Sequence, residues 1–173
     1  MLIDFELTPI EEIRPWGTPG DHSLNWFGLT EGRYWINAGV DTLFEYSESV
    51  RHNDADRYCE YYVARIFEDV MNMLPGVLDA VPQDLRRYMS GNSGRDWIKA
   101  CKFWSEQNLD EGAGDEIWDT WECAGLLLYN RLLETGYLSP STSILLWSDE
   151  TDVHIEWDNR DKFIDGVLVW SAT

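Results

Sequence analysis

The apolar and polar positions divide the chain into a strand-rich start, a helical middle and a strand-rich end. Residues 24–29 and 33–37 are rich in aromatic and branched side chains and lie on either side of Gly32, which predicts two strands joined by a turn. Residues 40–47, "VDTLFEYS", alternate between apolar and polar positions, which predicts a third strand. The opening "DFELTP" favours a further strand.

The middle of the chain has the spacing of helices. Between residues 54 and 74 apolar side chains recur every three or four positions, which gives a helix one buried stripe, and Pro75-Gly76 is predicted to end that helix. The longest helix is predicted from an N-cap at Asp115 to a C-cap at Gly136. Its segment "CAGLLLYNRLL" is apolar on nearly every side, so we expect this helix to be central.

The last part of the chain returns to strands. Residues 143–148 and 152–157 flank the polar turn "DETD", and "GVLVWS" follows near the end. Strands, then helices, then strands predict an α+β fold. We expect a single domain over residues 1–173, an antiparallel sheet built from N- and C-terminal strands with a central helical segment packed on one face: 1–50 for the first strands, 54–136 for the helices and 143–171 for the last strands.

The charge of the chain is strongly negative. Its 32 acidic and 13 basic residues give a formal net charge of −19. Such a chain is repelled by phosphate backbones and anionic membranes, so it predicts neither direct nucleic-acid binding nor membrane binding, whereas basic proteins are steered toward it. The cysteines (Cys59, Cys101 and Cys123) are too widely spaced for a disulfide framework or a zinc knuckle, and the acidic N-terminus lacks a signal-peptide layout. We therefore expect a cytoplasmic protein. The sequence does not determine its oligomeric state.

The stretch "DVHIEWDN" places His154, Glu156 and Asp158 at every second position. This spacing suits either a metal or acid–base site or the solvent side of an ordinary strand, and a site also needs ligands that converge from other segments. The alternation favours the solvent side, with three side chains facing the core: Val153, Ile155 and Trp157. The sequence leaves open whether His154, Glu156 and Asp158 form a site.

Acidic residues concentrate where basic ones are missing. No lysine or arginine occurs between Lys102 and Arg131, and a second acidic cluster lies in the turn between the last two long strands. Carboxylates that steer a basic protein, beside aromatic side chains that anchor it, predict a partner-binding surface. Its candidate residues are Glu106, Asp110, Glu111, Asp115, Trp118, Asp119, Glu122, Asp149, Glu150 and Asp152. The alternative is a solvated charged face, with acidic first-turn residues favoured by the helix dipole.

Several segments carry a family resemblance. "FELTPIEEIRPWG", "LNWFGLTEGRYWI" and "YYVARIFEDVMNMLPGVLDAVPQDL" resemble the signatures of an uncharacterised bacterial family, a domain of unknown function. "ETGYLSP" and "VHIEWDN" are similar too, so the resemblance covers nearly the whole chain. It implies no reaction, ligand or catalytic residue. In type alone, a small acidic cytoplasmic protein also resembles the immunity proteins of toxin systems.

The sequence predicts a function in binding. No nucleotide-binding, P-loop, zinc-protease or serine-hydrolase motif occurs, so we expect no enzyme, no cofactor and no metal. The main hypothesis is an immunity or inhibitor protein that neutralises a basic toxin, such as a nuclease, by direct contact. One alternative is a small-molecule binder or enzyme with an aromatic pocket of Trp26, Tyr34 and Trp35 beside His154 and Glu156. Another is an acidic mimic of DNA.

Overall fold

A computed structural model describes residues 2–52, 57–81, 83, 86, 106, 114–157 and 163–171, with the backbone alone at 116–118, 120–121 and 124. The described residues include antiparallel strands and the two long α-helices given below, which confirms the α+β class. The chain forms two compact units, one of residues 1–69 and 159–173 and the other of residues 70–158. Among the described residues no helix is both long and apolar enough to cross a membrane.

The first unit is built around the strand β4 (Glu31–Ala38). β4 pairs with β1 (Ile3–Leu7) along one edge and with β5 (Asp41–Leu43) and β6 (Cys59–Tyr62) along the other. Every second residue of β4 is buried, as expected for a strand with one face on the core and one toward solvent. The buried side contributes these residues: Gly32, Tyr34, Ile36 and Ala38.

Two short hairpins complete the strands of the first unit. β2 (Trp16–Thr18) pairs with β3 (Asp21–Ser23), and β10 (Phe163–Ile164) pairs with β11 (Val167–Leu168). A bond from the Ser47 N–H to the carbonyl of Val169, 2.6 Å long, attaches the C-terminal segment to this unit.

Two predicted strands of the first unit are wrong in their bounds. Residues 24–29 contain no strand, because Gly28–Thr30 form a 3-10 turn whose first N–H donates to the Asn25 side chain at 2.8 Å. The strand predicted over residues 40–47 ends at Leu43. Phe44 adopts a left-handed backbone (φ 66°), which turns the chain out of the regular strand.

The first predicted helix also differs from the structure. Its opening residues Cys59–Tyr62 form β6, because the tyrosines suit a strand and β4 offers an edge to pair with. The helix α1 then runs over Val63–Leu78 and continues through Pro75, where the sequence predicted its end. A proline removes only its own N–H from the helical ladder, and its carbonyl still accepts from the Asp79 N–H at 3.2 Å.

The second unit contains the helix α2 (Asp115–Tyr129) and a sheet in the order β7 (Leu132–Glu134), β8 (Ser143–Ser148) and β9 (Val153–Trp157). The predicted strand boundaries of β8 and β9 are confirmed to within one residue. The helix predicted to reach Gly136 ends earlier, at Tyr129, because the next residues pair with β8 as β7.

The prediction of one sheet shared by both ends of the chain is wrong. Strands of the N-terminal segment pair among themselves around β4, and β7, β8 and β9 form a separate sheet. The physical reason is that each central strand finds both of its partners nearby in sequence. β4 is bordered by β1 and by β5 and β6, and β8 by β7 and β9, so both edges of each central strand are filled within its own group.

Candidate partner-binding surface

One side of α2 is acidic and exposed along its length. Asp115, Asp119 and Glu122 are all exposed and are spaced by four and three residues, so they share one face of the helix. We call these three residues the acidic stripe. The same face continues to Leu126 and Tyr129, which are 49% and 69% exposed. We call these two the apolar end. At 1.5 Å per residue the whole surface is about 20 Å long.

On the opposite side of α2, the side chain that the structure describes is Leu128. Leu128 is buried in a core cluster with Val81, Leu145 and Trp147. Within the leucine run Leu128 is thus buried and Leu126 exposed, so the prediction of a central helix is wrong because the run includes positions on both faces. The helix also begins without a side-chain cap: its N-cap is Gly114, in extended conformation, and the predicted cap Asp115 is the first helical residue.

No basic side chain on α2 neutralises the acidic stripe. The helix sequence "DEIWDTWECAGLLLY" contains no lysine or arginine. The next basic residue, Arg131, is buried, and its guanidinium donates to the carbonyls of Leu127 at 2.9 Å and Asp79 at 2.7 Å. Burial lowers the pKa of Arg131, and the Asp79 carboxylate partly offsets that effect. This cation is thus occupied at the carboxyl end of the helix.

Four other predicted residues of the surface differ in how much of them the structure describes. Glu106 is exposed. Asp110 and Glu111 lie outside the described residues, and so does the side chain of Trp118, whose backbone belongs to α2. The described part of the candidate surface is therefore the acidic stripe with its apolar end.

The acidic turn between β8 and β9 is engaged by its own chain. The Asp149 carboxylate accepts from the N–H groups of Thr151 and Asp152, both at 2.8 Å, and lies 3.0 Å from Nε2 of His154. Glu150 forms an ion pair with Arg86 at 2.5 Å. Of the three predicted partner-binding residues here, Asp149 and Glu150 have internal partners, and exposed Asp152 accepts from the Thr151 hydroxyl at 2.8 Å. The turn therefore has a local structural role.

The hydrogen bonds of Asp149 predict a pH-dependent stability. The backbone N–H groups of Thr151 and Asp152, with the His154 side chain, hold the pKa of this carboxyl well below its usual range. A carboxyl whose folded pKa is depressed adds stability above its unfolded pKa of about 4, and this contribution decreases as the pH falls toward the folded value. We expect Asp149→Asn to lower the urea midpoint at neutral pH, with the difference from wild type shrinking from about pH 5 to about pH 2.

The control for this prediction is Asp152→Asn, in the same turn. Asp152 is exposed, and its carboxylate accepts one bond, from the neighbouring hydroxyl. We expect its midpoint to stay close to the wild-type value throughout the same titration. A midpoint difference for Asp149→Asn that is constant over the acidic range would contradict the assigned role of its carboxylate.

His154 of β9 packs against its own chain, between the acidic turn and β8. Its ring stacks on buried Trp147 with centroids 4.0 Å apart and planes 17° apart, and the indole N–H of Trp147 points to Glu156 at 3.4 Å. Val153, predicted to face the core, is 58% exposed, so that assignment is wrong. β8 is buried on both faces, and its Trp147 side covers His154. Asp158 lies outside the described residues, among which no group of three potential metal ligands occurs.

The predicted aromatic pocket is not formed. Tyr34 is fully buried, whereas Trp35, the next residue of β4, projects from the opposite face and stacks on Tyr58 at 4.0 Å. Trp26 is 64% exposed. These three side chains therefore do not line a common cavity. A different cavity of about 470 Å³ is lined by Tyr46, Val50, His52, Ile164, Asp165, Val167 and Val169.

Two exposed features were missed in the sequence. The apolar end of α2 had a usable signal, because Leu126 and Tyr129 follow Glu122 at spacings of four and seven. The second feature joins two segments that carry the family resemblance: the ring of Trp16, from "PWG", lies against Tyr62 at 5.7 Å, and Phe27, from "WFGLT", lies 4.7 Å from the same ring. Only the folded chain brings these rings together.

The fold and its surface define an acidic α+β protein with an exposed carboxylate-bearing helix. The chain belongs to DUF5984, a family of unknown function, whose model matches residues 2–173. This match confirms the resemblance to an uncharacterised family. No curated protein and no solved structure matches the chain.

Proposed function

We propose that this protein binds a basic protein through the acidic stripe and apolar end of α2. The observation that carries the proposal is the continuity of this surface: three exposed carboxylates lead directly to exposed Leu126 and Tyr129. The most concrete form of this function is an immunity or inhibitor protein that neutralises a basic toxin, such as a nuclease. Carboxylates of the stripe would form ion pairs with the cationic side chains of the toxin that normally bind nucleic-acid phosphates, and so block them.

The two parts of the surface have different tasks in such a complex. The carboxylates, within a chain of net charge −19, attract a cationic partner and raise the association rate, most strongly at low salt. Tyrosine is enriched among the anchors that hold interfaces together, because it buries a large apolar ring and keeps a polar hydroxyl. Tyr129 therefore supports slow dissociation, and the acidic stripe supports fast encounter.

This surface favours a protein partner over mimicry of DNA. The three carboxylates of the stripe cover about 10 Å of helix, and the apolar end follows at once. A mimic of DNA needs a longer row of negative charges with phosphate-like spacing.

The test uses the product of the neighbouring gene as the partner. We expect its toxicity to be relieved on co-expression and a complex to form with purified protein. The variant Asp115→Asn/Asp119→Asn/Glu122→Gln should weaken binding roughly 30-fold at low salt, mainly through slower association, and flatten the salt dependence. Tyr129→Ala should weaken it at least about tenfold, mainly through faster dissociation. Surface plasmon resonance at two salt concentrations separates these effects.

A matched variant controls for total charge. Glu11→Gln/Glu12→Gln/Glu48→Gln removes three exposed carboxylates from the other unit and changes the net charge by the same amount. We expect it to bind nearly as wild type does. The proposal fails if co-expression gives neither a complex nor relief of toxicity, or if the control weakens binding as much as the stripe variant.

A further inference from the structure

The solvent-facing side of the first sheet combines exposed aromatic rings with carboxylates. Tyr62 lies directly opposite Glu31 in the pairing of β6 with β4, and Glu60 projects from the same side because it is two residues from Tyr62. Trp16 packs edge-on against Tyr62 at 5.7 Å and is still 43% exposed. We call these four residues the aromatic–carboxylate face.

The carboxylates of this face outnumber the described cations beside them. Neither Glu31 nor Glu60 forms an ion pair with a residue that the structure describes. Arg33 projects from the same side, opposite Glu60, and its guanidinium lies 3.9 Å from Glu6. Among the described residues on this side of β1, β4 and β6, three are glutamates and one is an arginine: Glu6, Glu31, Glu60 and Arg33. Burial and the nearby Glu31 carboxylate raise the pKa of Tyr62, which is consistent with negative potential at the ring.

Elsewhere in the same unit an arginine side chain already contacts both an aromatic ring and a carboxylate. The guanidinium of Arg57 lies 5.1 Å from the centre of the Tyr58 ring, while its Nε donates to Glu45 at 3.1 Å. A planar cation is thus held between a ring face and a carboxylate, an arrangement that suits guanidinium better than the strongly hydrated lysine ammonium. The aromatic–carboxylate face offers the same two kinds of group.

We propose that the aromatic–carboxylate face binds an arginine side chain from a basic polypeptide. Its guanidinium would stack on the exposed Trp16 ring, beside Tyr62, and direct its N–H groups to Glu31 and Glu60. Exposed Trp26, which contacts Tyr62 through Phe27, extends the apolar contact for the flanking peptide. A second copy of this chain does not fit, because two chains of net charge −19 repel each other. This site lies in the other unit from α2 and is independent of the proposed function.

The probes for the test are three short peptides that differ at one residue: acetyl-Gly-Arg-Gly-amide, its lysine analogue and its glutamine analogue. The readout is the indole N–H signals of the ten tryptophans in a ¹H–¹⁵N correlation spectrum. Trp16→Phe and Trp26→Phe assign the two relevant signals by their loss. We expect the arginine peptide to shift the Trp16 signal saturably, with at least about threefold weaker binding by the lysine peptide and none by the glutamine peptide.

Charge-neutral variants then test the carboxylates. We expect Glu31→Gln/Glu60→Gln to bind the arginine peptide at least about tenfold more weakly. The control Glu11→Gln/Glu12→Gln removes two exposed carboxylates outside this face and should bind as wild type does. Urea midpoints of both variants show whether folding is intact, and the unchanged spectrum of the remaining indoles confirms it. Equal binding of the arginine and glutamine peptides, equal binding of arginine and lysine, or no loss of affinity in Glu31→Gln/Glu60→Gln would overturn the proposal.

Discussion

Replacement of Arg131 by alanine is expected to destabilise the protein by about 4 kcal/mol, one of the largest effects of any single substitution in the chain. Arg131 is buried and donates from two guanidinium nitrogens to two carbonyls, those of Leu127 at the end of α2 and of Asp79 after α1. Charge-assisted bonds of this kind contribute about 1.5–3 kcal/mol each, and alanine leaves both carbonyls without this donor and a cavity where the side chain was.

The stability lost in Arg131→Ala comes from the bonds to the two carbonyls and not from the ion pair with Asp79, and variants distinguish the two. The Asp79 carboxylate lies 3.9 Å from Arg131 but is exposed, so screening makes that pair weak. We expect Asp79→Asn to cost less than about 0.5 kcal/mol and Arg131→Lys about 2–3 kcal/mol, because an ammonium cannot reach both carbonyls with a fork. Urea unfolding monitored by circular dichroism measures all three. A loss in Asp79→Asn as large as in Arg131→Ala would assign the effect to the ion pair instead.

Gly76→Ala is expected to destabilise the protein by about 2–3 kcal/mol, although alanine has a higher helix propensity than glycine. Gly76 lies inside α1, where alanine would ordinarily be preferred. A Cβ at this position would lie 2.5 Å from the carbonyl oxygen of Asn130 and 2.7 Å from its Cβ. Asn130 caps the end of α2, so this clash would force the backbone of α1 away from the end of the other helix.

The matched control has the opposite expected sign. Gly125 lies inside α2, and a Cβ there meets no described atom within 4 Å outside its own helix backbone and chain neighbours, so Gly125→Ala should stabilise the protein by about 0.5–1 kcal/mol. Differential scanning calorimetry or urea unfolding of the two variants gives the comparison. Stabilisation by both substitutions would show that α1 and α2 do not approach each other as closely at Gly76 as the structure has it.

These predictions depend on contacts that no sequence pattern contains. The glycine at position 76 reads as a helix terminator beside Pro75, yet the structure requires it for close packing against Asn130. In the sequence Arg131 marks only the end of the stretch without basic residues, whereas in the structure it is buried at a helix end. Glycine occurs both at helix ends and in close helix contacts, and arginine both in solvent and buried. In each case only the position of a carbonyl far along the chain decides which role applies.

For the candidate surface, too, the sequence predicted some features correctly and missed contacts that depend on the folded chain. Helical spacing alone placed Asp115, Asp119 and Glu122 on one face, and their exposure agrees with that placement. The acidic turn was predicted from its cluster of acidic residues, but Asp149 and Glu150 have internal partners. A carboxylate in a turn can bond to backbone N–H groups within two or three residues, and charge counts carry no information on such bonds.

The sequence by itself determined the α+β class, the strands β8 and β9, the existence of α2 and the strongly negative charge. These properties follow from local periodicity and from composition, which need no knowledge of distant residues. Tertiary structure decided that Cys59–Tyr62 is a strand, that α2 ends at Tyr129 and that the strands form separate sheets. It also decided which face of α2 is exposed. Each of these outcomes depends on a backbone edge or apolar face offered by residues far along the chain, so local propensity is overruled there.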